Sequence, residues 1–322
     1  MTGEAVVTRS TVDLARLRAW LPKYGVYLAI VLLVLYNVFF TPYFLTWSNL
    51  RIQLIQVAPI VIVALGMALV IGTEGIDLSV GSVMALAAAL IPLYLGYGVV
   101  AAVVVSLLAG VVVGLINGVL VAKVGLQPIV ATLALFVGGR GLAVVISGGQ
   151  LKDIHDPDFI RLGSGDLFGI PILVWIAAAL VLVVAFVVRR TVFGRRLLAI
   201  GGNRPATELA GLPVKRVLIT VYVLCSVLAS IAGLLSVARI QSSDASAVGL
   251  LIELSAITAV VVGGTPLTGG RVRVLGTVAG ALLMQLVIAT MIKHNLPPST
   301  TEIAQSVIIL IAVYVARERK SR

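Results

Sequence analysis

Apolar residues fall along this chain in long runs, broken by short polar or glycine-rich stretches. A helix needs about 20 such residues to cross a hydrocarbon core roughly 30 Å thick. Ten runs meet or approach that length: Tyr24–Phe40, Gln53–Gly72, Ile76–Leu95, Gly98–Ala122, Gln127–Ser147, Gly169–Val188, Val217–Arg239, Leu250–Gly264, Val274–Ile292 and Ser299–Ala316. Several are short or interrupted by Gly and Pro, and the third and eighth read as candidates for broken or re-entrant segments. The pattern predicts an all-α integral membrane protein, a polytopic helical bundle of about ten transmembrane helices. Residues 1–23 and 317–322 then flank a membrane domain over 24–316, whose longest polar interruption on the basic side is 189–216.

Composition agrees with that reading. Of 322 residues, 60% are hydrophobic and 11% charged, with a mean hydropathy of +1.14. So little charge cannot coat a water-soluble globule of this length, which excludes a soluble enzyme, a disordered chain and a collagen-like fibre. A single cysteine, Cys225, excludes a disulfide framework, and two histidines, His155 and His294, leave little for metal or acid–base chemistry. The net charge of +11 has two readings, nucleic acid or membrane topology, and the placement of the charges separates them. With the N-terminus inside, the inner segments hold most of the basic residues. The largest groups are Arg189, Arg190, Arg195, Arg196, Arg204, Lys215 and Arg216 in one loop and Arg317, Arg319, Lys320 and Arg322 at the end. The outer loop 148–168 is acidic on balance, through Asp153, Asp156, Asp158 and Asp166. This is the positive-inside asymmetry. It predicts both termini in the cytoplasm and explains the basic balance without nucleic acid. The N-terminal segment has no apolar core or small-residue cleavage site, so the first run reads as a retained anchor rather than a signal peptide.

The most specific stretch is Gly72-Thr73-Glu74-Gly75-Ile76-Asp77-Leu78-Ser79-Val80-Gly81-Ser82. Two carboxylates, glycines and hydroxyls at a membrane boundary suit a tight turn, with Asp77 or Ser79 capping a helix that starts near Val80. On physical grounds alone a capped turn accounts for it. The run from Gly75 to Ser82 is also very similar to the signature of permease subunits of bacterial ABC sugar importers, the ribose/galactose/galactofuranose group. Two further matches follow in that family's order. One runs from Phe193-Gly194-Arg195 through Ala199-Ile200-Gly201-Gly202-Asn203 to Ala210-Gly211. The other runs from Glu253-Leu254-Ser255-Ala256-Ile257 through Val262-Gly263-Gly264-Thr265 to Leu267-Thr268-Gly269-Gly270. The resemblance covers about Phe44 to Tyr314. It implies signature or gating roles for Gly75, Asp77, Ser79, Gly81, Glu253, Gly263, Gly264, Gly269 and Gly270. Relatives commonly carry an acid where this chain has Ser255, which keeps a hydrogen-bonding group and loses a charge.

Within the basic loop 189–216, residues 203–211 read as a short helix. Asn203 is its N-cap, Pro205 sits in its first turn, Gly211 stops it and Pro213 prevents its continuation. Physically it is either a basic loop on anionic headgroups or a docking element. The resemblance implies the second: Asn203, Arg204, Pro205, Glu208, Leu209 and Gly211 would seat in an ATPase subunit and carry its motion to the spans. No Gly-Lys dipeptide occurs, so this chain lacks a phosphate-binding G-x-x-x-x-G-K-[ST] loop. No cofactor or metal is expected on it, and no catalytic constellation is credible. The resemblance also implies a separate ATPase that binds ATP, an extracytoplasmic sugar-binding protein with loop 148–168 as a candidate contact, and a second permease, identical or homologous.

Ionisable groups inside spans are costly and tend to face interiors or pores. Arg140, in Val137-Gly138-Gly139-Arg140-Gly141, is the clearest; a structural pairing with a carboxylate or carbonyl is the commoner use, and a gate or latch the sharper one. Glu253 and Glu302 lie near span ends and are expected to reach water. Asn117, Arg140, Gln285 and Gln305 are weak candidates for the substrate path, since helix packing is the commoner use of such groups. The spacing Gly110, Gly114, Gly118 reads as tight helix packing. The expected function is a permease subunit, not an enzyme, in an ATP-driven importer of a monosaccharide or related polyol. An ion-gradient-driven transporter of a small polar solute is the alternative, because broken helices and midplane polar groups also suit it. A membrane scaffold or sensor is a third reading.

Overall fold

The computed structural model describes residues 11–316. The flanking segments 1–10 and 317–322, and with them the whole basic tail, lie outside the described residues. Thirteen α-helices follow in order: α1 (Thr11–Phe40), α2 (Trp47–Gly72), α3 (Val80–Tyr94), α4 (Val99–Val119), α5 (Pro128–Ser147), α6 (Pro157–Ser164) and α7 (Ile172–Arg190). After them come α8 (Val192–Gly202), α9 (Arg204–Leu209), α10 (Val214–Ile240), α11 (Ile252–Val262), α12 (Val274–Lys293) and α13 (Pro298–Ala316). A helix occupies each of the ten expected spans. Among the described residues, seven helical stretches are long and apolar enough to cross a membrane, in α2, α3, α4, α5, α7, α10 and α12. Two shorter apolar helices accompany them, Gly25–Phe40 within α1, and α11.

The eighth span is broken. Its helix, α11, has 11 residues, a length of about 16 Å at 1.5 Å per residue, roughly half a bilayer core. The third is shortened at its start: residues 75–79 are non-helical and α3 begins only at Val80. Neither Asp77 nor Ser79 caps α3 through its side chain. Ser79 holds the capping position without a side-chain bond to the helix. Asp77 instead accepts from the backbone N–H and hydroxyl of Ser79, closing the turn before the helix.

Burial explains the arrangement of the helices. Along α2 every side chain from Val57 to Ile71 is buried, and this helix forms the centre of the bundle. α10 packs on α2, α3 and α4, and α12 and α11 close the other side of α2. The glycines spaced by four on α4 lie against α10. A Cβ on Gly114 would come within 2.6 Å of the Val223 Cα, and one on Gly118 within 2.7 Å of the Ile219 Cα. The two backbones therefore touch, as the spacing suggested. α4, α5 and α7 stay mostly exposed along apolar faces, the condition of helices that meet lipid or another chain.

Two polar layers mark opposite ends of α10. At its C-terminal end lie α6 and two short antiparallel pairs. β1 (Lys152–Asp153) pairs with β4 (Ser242–Ser243), and β2 (Asp166–Leu167) pairs with β3 (Ile170–Pro171). Gly163 of α6 rests directly on the backbone of Ala238 and Arg239, and the Ile154 N–H donates to the Gln241 carbonyl at 2.9 Å. Arg51 forks onto both oxygens of Asp166 at 2.7 Å, tying this layer to the start of α2. At the N-terminal end of α10 lie α8 and α9. Residues 189–216, expected as a loop with one short helix, thus fold as two helices.

Candidate functional site

Three glycine-rich segments, far apart in sequence, converge at the α8 end of the bundle. The Gly270 N–H donates to the Gly72 carbonyl at 3.1 Å. A Cβ on Gly201 would overlap that same carbonyl oxygen and come within 2.5 Å of the Gly270 nitrogen. Gly269, at φ +73°, has the Glu74 side chain and the Gly201 carbonyl against it, and Gly270 sits at φ +75°. These positions require glycine twice over, for the left-handed backbone and for the absence of a side chain. The Arg273 N–H donates to the Thr265 hydroxyl at 3.0 Å and closes the loop that carries Gly269 and Gly270. At the end of α11, Gly263 lies against the Gly276 backbone of α12, and Gly264 turns the chain at φ +85°.

Helix α9 projects from this knot. Asn203 caps it, its Oδ1 accepting the Ala206 N–H at 3.0 Å, with Pro205 in the first turn and Gly211 at φ +73° behind it. Thr207 anchors the helix by donating to the carbonyls of Ala199 (3.0 Å) and Asn203 (2.7 Å). The outward face keeps Arg204 paired with Glu208 at 3.2 Å, and Leu209, 91% exposed. An isolated exposed pair contributes little stability, so this face adds little to holding the fold.

Deeper in the bundle lies a chain of buried polar groups. Asn117 of α4 donates from Nδ2 to the Ser79 hydroxyl at 2.8 Å, and Ser79 donates to Asp77 Oδ1 at 2.6 Å. Thr132 of α5 receives the Leu78 N–H at 3.2 Å and donates to the Pro128 carbonyl at 2.9 Å. Asp77, Ser79 and Asn117 are all fully buried. Gly75 leaves room for the Tyr222 hydroxyl, which would lie 2.7 Å from a Cβ there. These bonds satisfy the irregular backbone of 75–79 at a depth where water is scarce. Asn117 is therefore a structural tie.

One further step along α3 and α5 brings Gly81, Arg140 and Glu253 together. Arg140 donates from Nη1 to the carbonyls of Ala245 (3.2 Å), Ser246 (3.1 Å) and Val248 (3.2 Å). A point 2.6 Å from Glu253 Oε2 and 3.4 Å from Arg140 Nη2 is where a Gly81 Cβ would stand. Glu253 corrects the sequence reading: it is 4% exposed and faces the bundle rather than water, because the break before α11 lies inside the protein. On the α6 side, the Asp244 carboxylate is held below the usual range, first by the Ser246 hydroxyl and then by the backbone N–H groups of Ser246 and Ala247.

The remaining path candidates do not join this group. Gln285 of α12 donates to Gln53 (2.9 Å) and Gln56 (2.6 Å) of α2, an interhelix clamp. Gln305 is half-buried on α13. Sequence reasoning passed over Gly72, Gly201, Gly249 and Thr132. For the glycines a signal existed, since each stands in or beside a quoted motif or a helix break. Thr132 carried none, because its role depends on which loop α5 packs against.

The sequence pattern of the family described as "Branched-chain amino acid transport system / permease component" matches residues 49–313. The chain belongs to that family. It is 37% identical over 309 residues to the ribose import permease protein RbsC of Escherichia coli (strain K12), covering 94% of this chain and 96% of the relative. The galactofuranose transporter permease protein YtfT of the same strain is 37% identical over 266 residues, 82% of this chain and 78% of its own. The fructose import permease protein FruF of Bifidobacterium longum is 35% identical over 255 residues, 77% of this chain and 72% of the relative. No solved structure matches. This permease is accordingly a multi-pass membrane protein of the transport class.

Proposed function

We propose that this permease is the translocation subunit of an ATP-driven importer for a monosaccharide or related polyol in a bacterial inner membrane. The observation that carries the reading is the near end-to-end match to a ribose import permease. The geometry fits it. Helix α9 presents Leu209 and the Arg204–Glu208 pair outward, while its root, Gly201, touches the backbone beside both signature loops. A push on α9 would reach Gly72 and Gly270 without passing through any flexible side chain. ATP binds and is hydrolysed on separate subunits, which grip α9; no chemistry is done on the sugar and no metal is needed here. Two permeases, identical or homologous, enclose one path, both termini lie in the cytoplasm, and a sugar-binding protein docks on the face that carries α6.

The test is a pull-down of the tagged permease after gentle extraction, with mass spectrometry of what accompanies it, repeated for Glu208→Ala and Gly211→Ala. An ATPase subunit that accompanies the parent chain and is lost from the variants supports the reading. If no ATPase is recovered with the parent chain, ATP-driven transport fails as an explanation, and uptake driven by a proton or sodium gradient becomes the experiment to run.

A further inference from the structure

We infer that the corner between α7 and α8 binds an anionic phospholipid, with an acyl chain along the exposed stripe of α7 and the phosphate among Arg189, Arg190, Arg195 and Arg196.

The corner gathers charge. Thr191 alone separates the two helices. Its hydroxyl donates to the Val187 carbonyl at 2.6 Å and accepts the Gly194 N–H at 3.2 Å. A Cβ on Gly194 would overlap the carbonyl oxygens of Val187 and Val188, so α8 starts directly on the last turn of α7. Two arginines precede this contact and two follow it. Arg189, Arg190 and Arg195 are exposed, and Arg196 is half-buried. Among the described residues none of the four has an ion pair or a side-chain hydrogen bond. Glu208 is the one acid between 189 and 216, and Arg204 of α9 already holds it. Like charges crowded at one corner repel, and a bound anion relieves that repulsion. The basic segment thus divides in two: free cations at the end of α7, and a self-paired α9 beyond them.

The apolar surface selects a lipid over a soluble anion. Leu182, 71% exposed, Val183, and Phe186, 62% exposed, make an open apolar stripe on α7. Arg189 and Arg190 continue that stripe at the three- and four-residue spacing of one helix face. The 19 residues of α7 span about 28 Å, close to the thickness of a hydrocarbon core. With the stripe among acyl chains, the arginines fall at headgroup level. Trp175, part exposed and about 21 Å away along the helix, suits the opposite interface. Phosphate ions need only the charges. A cytoplasmic protein reaches the arginines but not Leu182, about two turns deeper. An anionic phospholipid meets both parts at once. The side of the membrane follows the orientation proposed above; the binding depends neither on it nor on the solute carried. Helix α8 runs from this corner to Gly201, at the Gly72 carbonyl, and α9 follows it. A lipid here pins one end of the helix from which α9 projects.

The experiment uses the full permease, extracted gently in its own assembly and stripped of lipid in a neutral detergent. Binding of phosphatidylglycerol and of phosphatidylcholine with the same acyl chains is compared by native mass spectrometry. The parent chain should prefer phosphatidylglycerol by about tenfold or more. Arg189→Gln with Arg190→Gln, and separately Arg195→Gln with Arg196→Gln, should each lower that preference by about tenfold. Lys152→Gln with Arg161→Gln removes as much charge at the α6 end and should leave it unchanged. Either arginine pair suffices if the other fails to fold. Equal binding of the two lipids by the parent chain overturns the site. An equal loss of preference in the Lys152 and Arg161 pair overturns it too, since net charge alone would then explain the binding. Displacement of phosphatidylglycerol by inorganic phosphate would mean a soluble-anion site and no lipid site. No preference in the parent chain, with an ATPase lost from the arginine pairs in the pull-down, would assign the corner to the ATPase instead.

Discussion

At the residue scale, the oddest feature of the sequence was a carboxylate, Asp77, in an apolar setting. The structure gives half of that carboxylate a clear task. Oδ1 takes both the backbone N–H and the hydroxyl of Ser79, and Ser79 in turn holds Asn117 of α4. Replacing Asp77 by Ala leaves two buried donors without an acceptor, a loss of about 1–3 kcal/mol per orphaned group. Asparagine keeps a carbonyl oxygen at that position. The thermal midpoint of the solubilised protein should therefore fall clearly in Asp77→Ala and much less in Asp77→Asn. Transport should follow the same order. A transporter that used this acid to carry protons or cations would behave otherwise, losing uptake in Asp77→Asn while keeping its midpoint. The residue was legible as a turn-former from its neighbours Gly75 and Ser79. Asn117, the partner of Ser79, was not, because it lies 38 positions along the chain and nothing local indicates the pairing.

At the element scale, helices were more legible than their ends. Runs of apolar residues located every span, since burial in lipid or protein demands such runs whatever the packing. The break before α11 was visible only as a short run, and its cause is tertiary: the descending carbonyls of Ala245, Ser246 and Val248 find a guanidinium from α5 rather than helical partners. Helix α9 is the opposite case. Its cap, its proline and its stop were all written locally, and the structure reproduces each. That locality makes it separable from the bundle. Asn203→Ala removes the bond to the Ala206 N–H, a loss of about 1 kcal/mol in a six-residue helix. Amide hydrogen exchange over 206–209 should quicken by about fivefold, while the protein's thermal midpoint stays within a degree or so. A large fall in the midpoint would mean that α9 supports the fold rather than serving a partner.

At the scale of the whole molecule, sidedness ties the sequence to the function. The basic residues of 189–216 and the acidic balance of 148–168 argued for opposite faces, and in the structure the two segments sit at opposite ends of α10. The orientation proposed above puts the basic end in the cytoplasm, on charge alone. Each face offers a well-exposed reporter: Leu209 at 91% and Phe168 at 88%. The single cysteine, Cys225, is buried between α2 and α10 and should contribute no background. With Phe168→Cys, a membrane-impermeant maleimide should label spheroplasts from outside. With Leu209→Cys, labelling should wait for permeabilisation. The reverse order would place α9 outside the cell, out of reach of any cytoplasmic ATPase, and the coupling role would be lost even though the fold stood. Labelling of both from one side is incompatible with α10 crossing the membrane. The expected order is the arrangement in which α9 faces the side where the proposed ATPase would act and α6 faces the other.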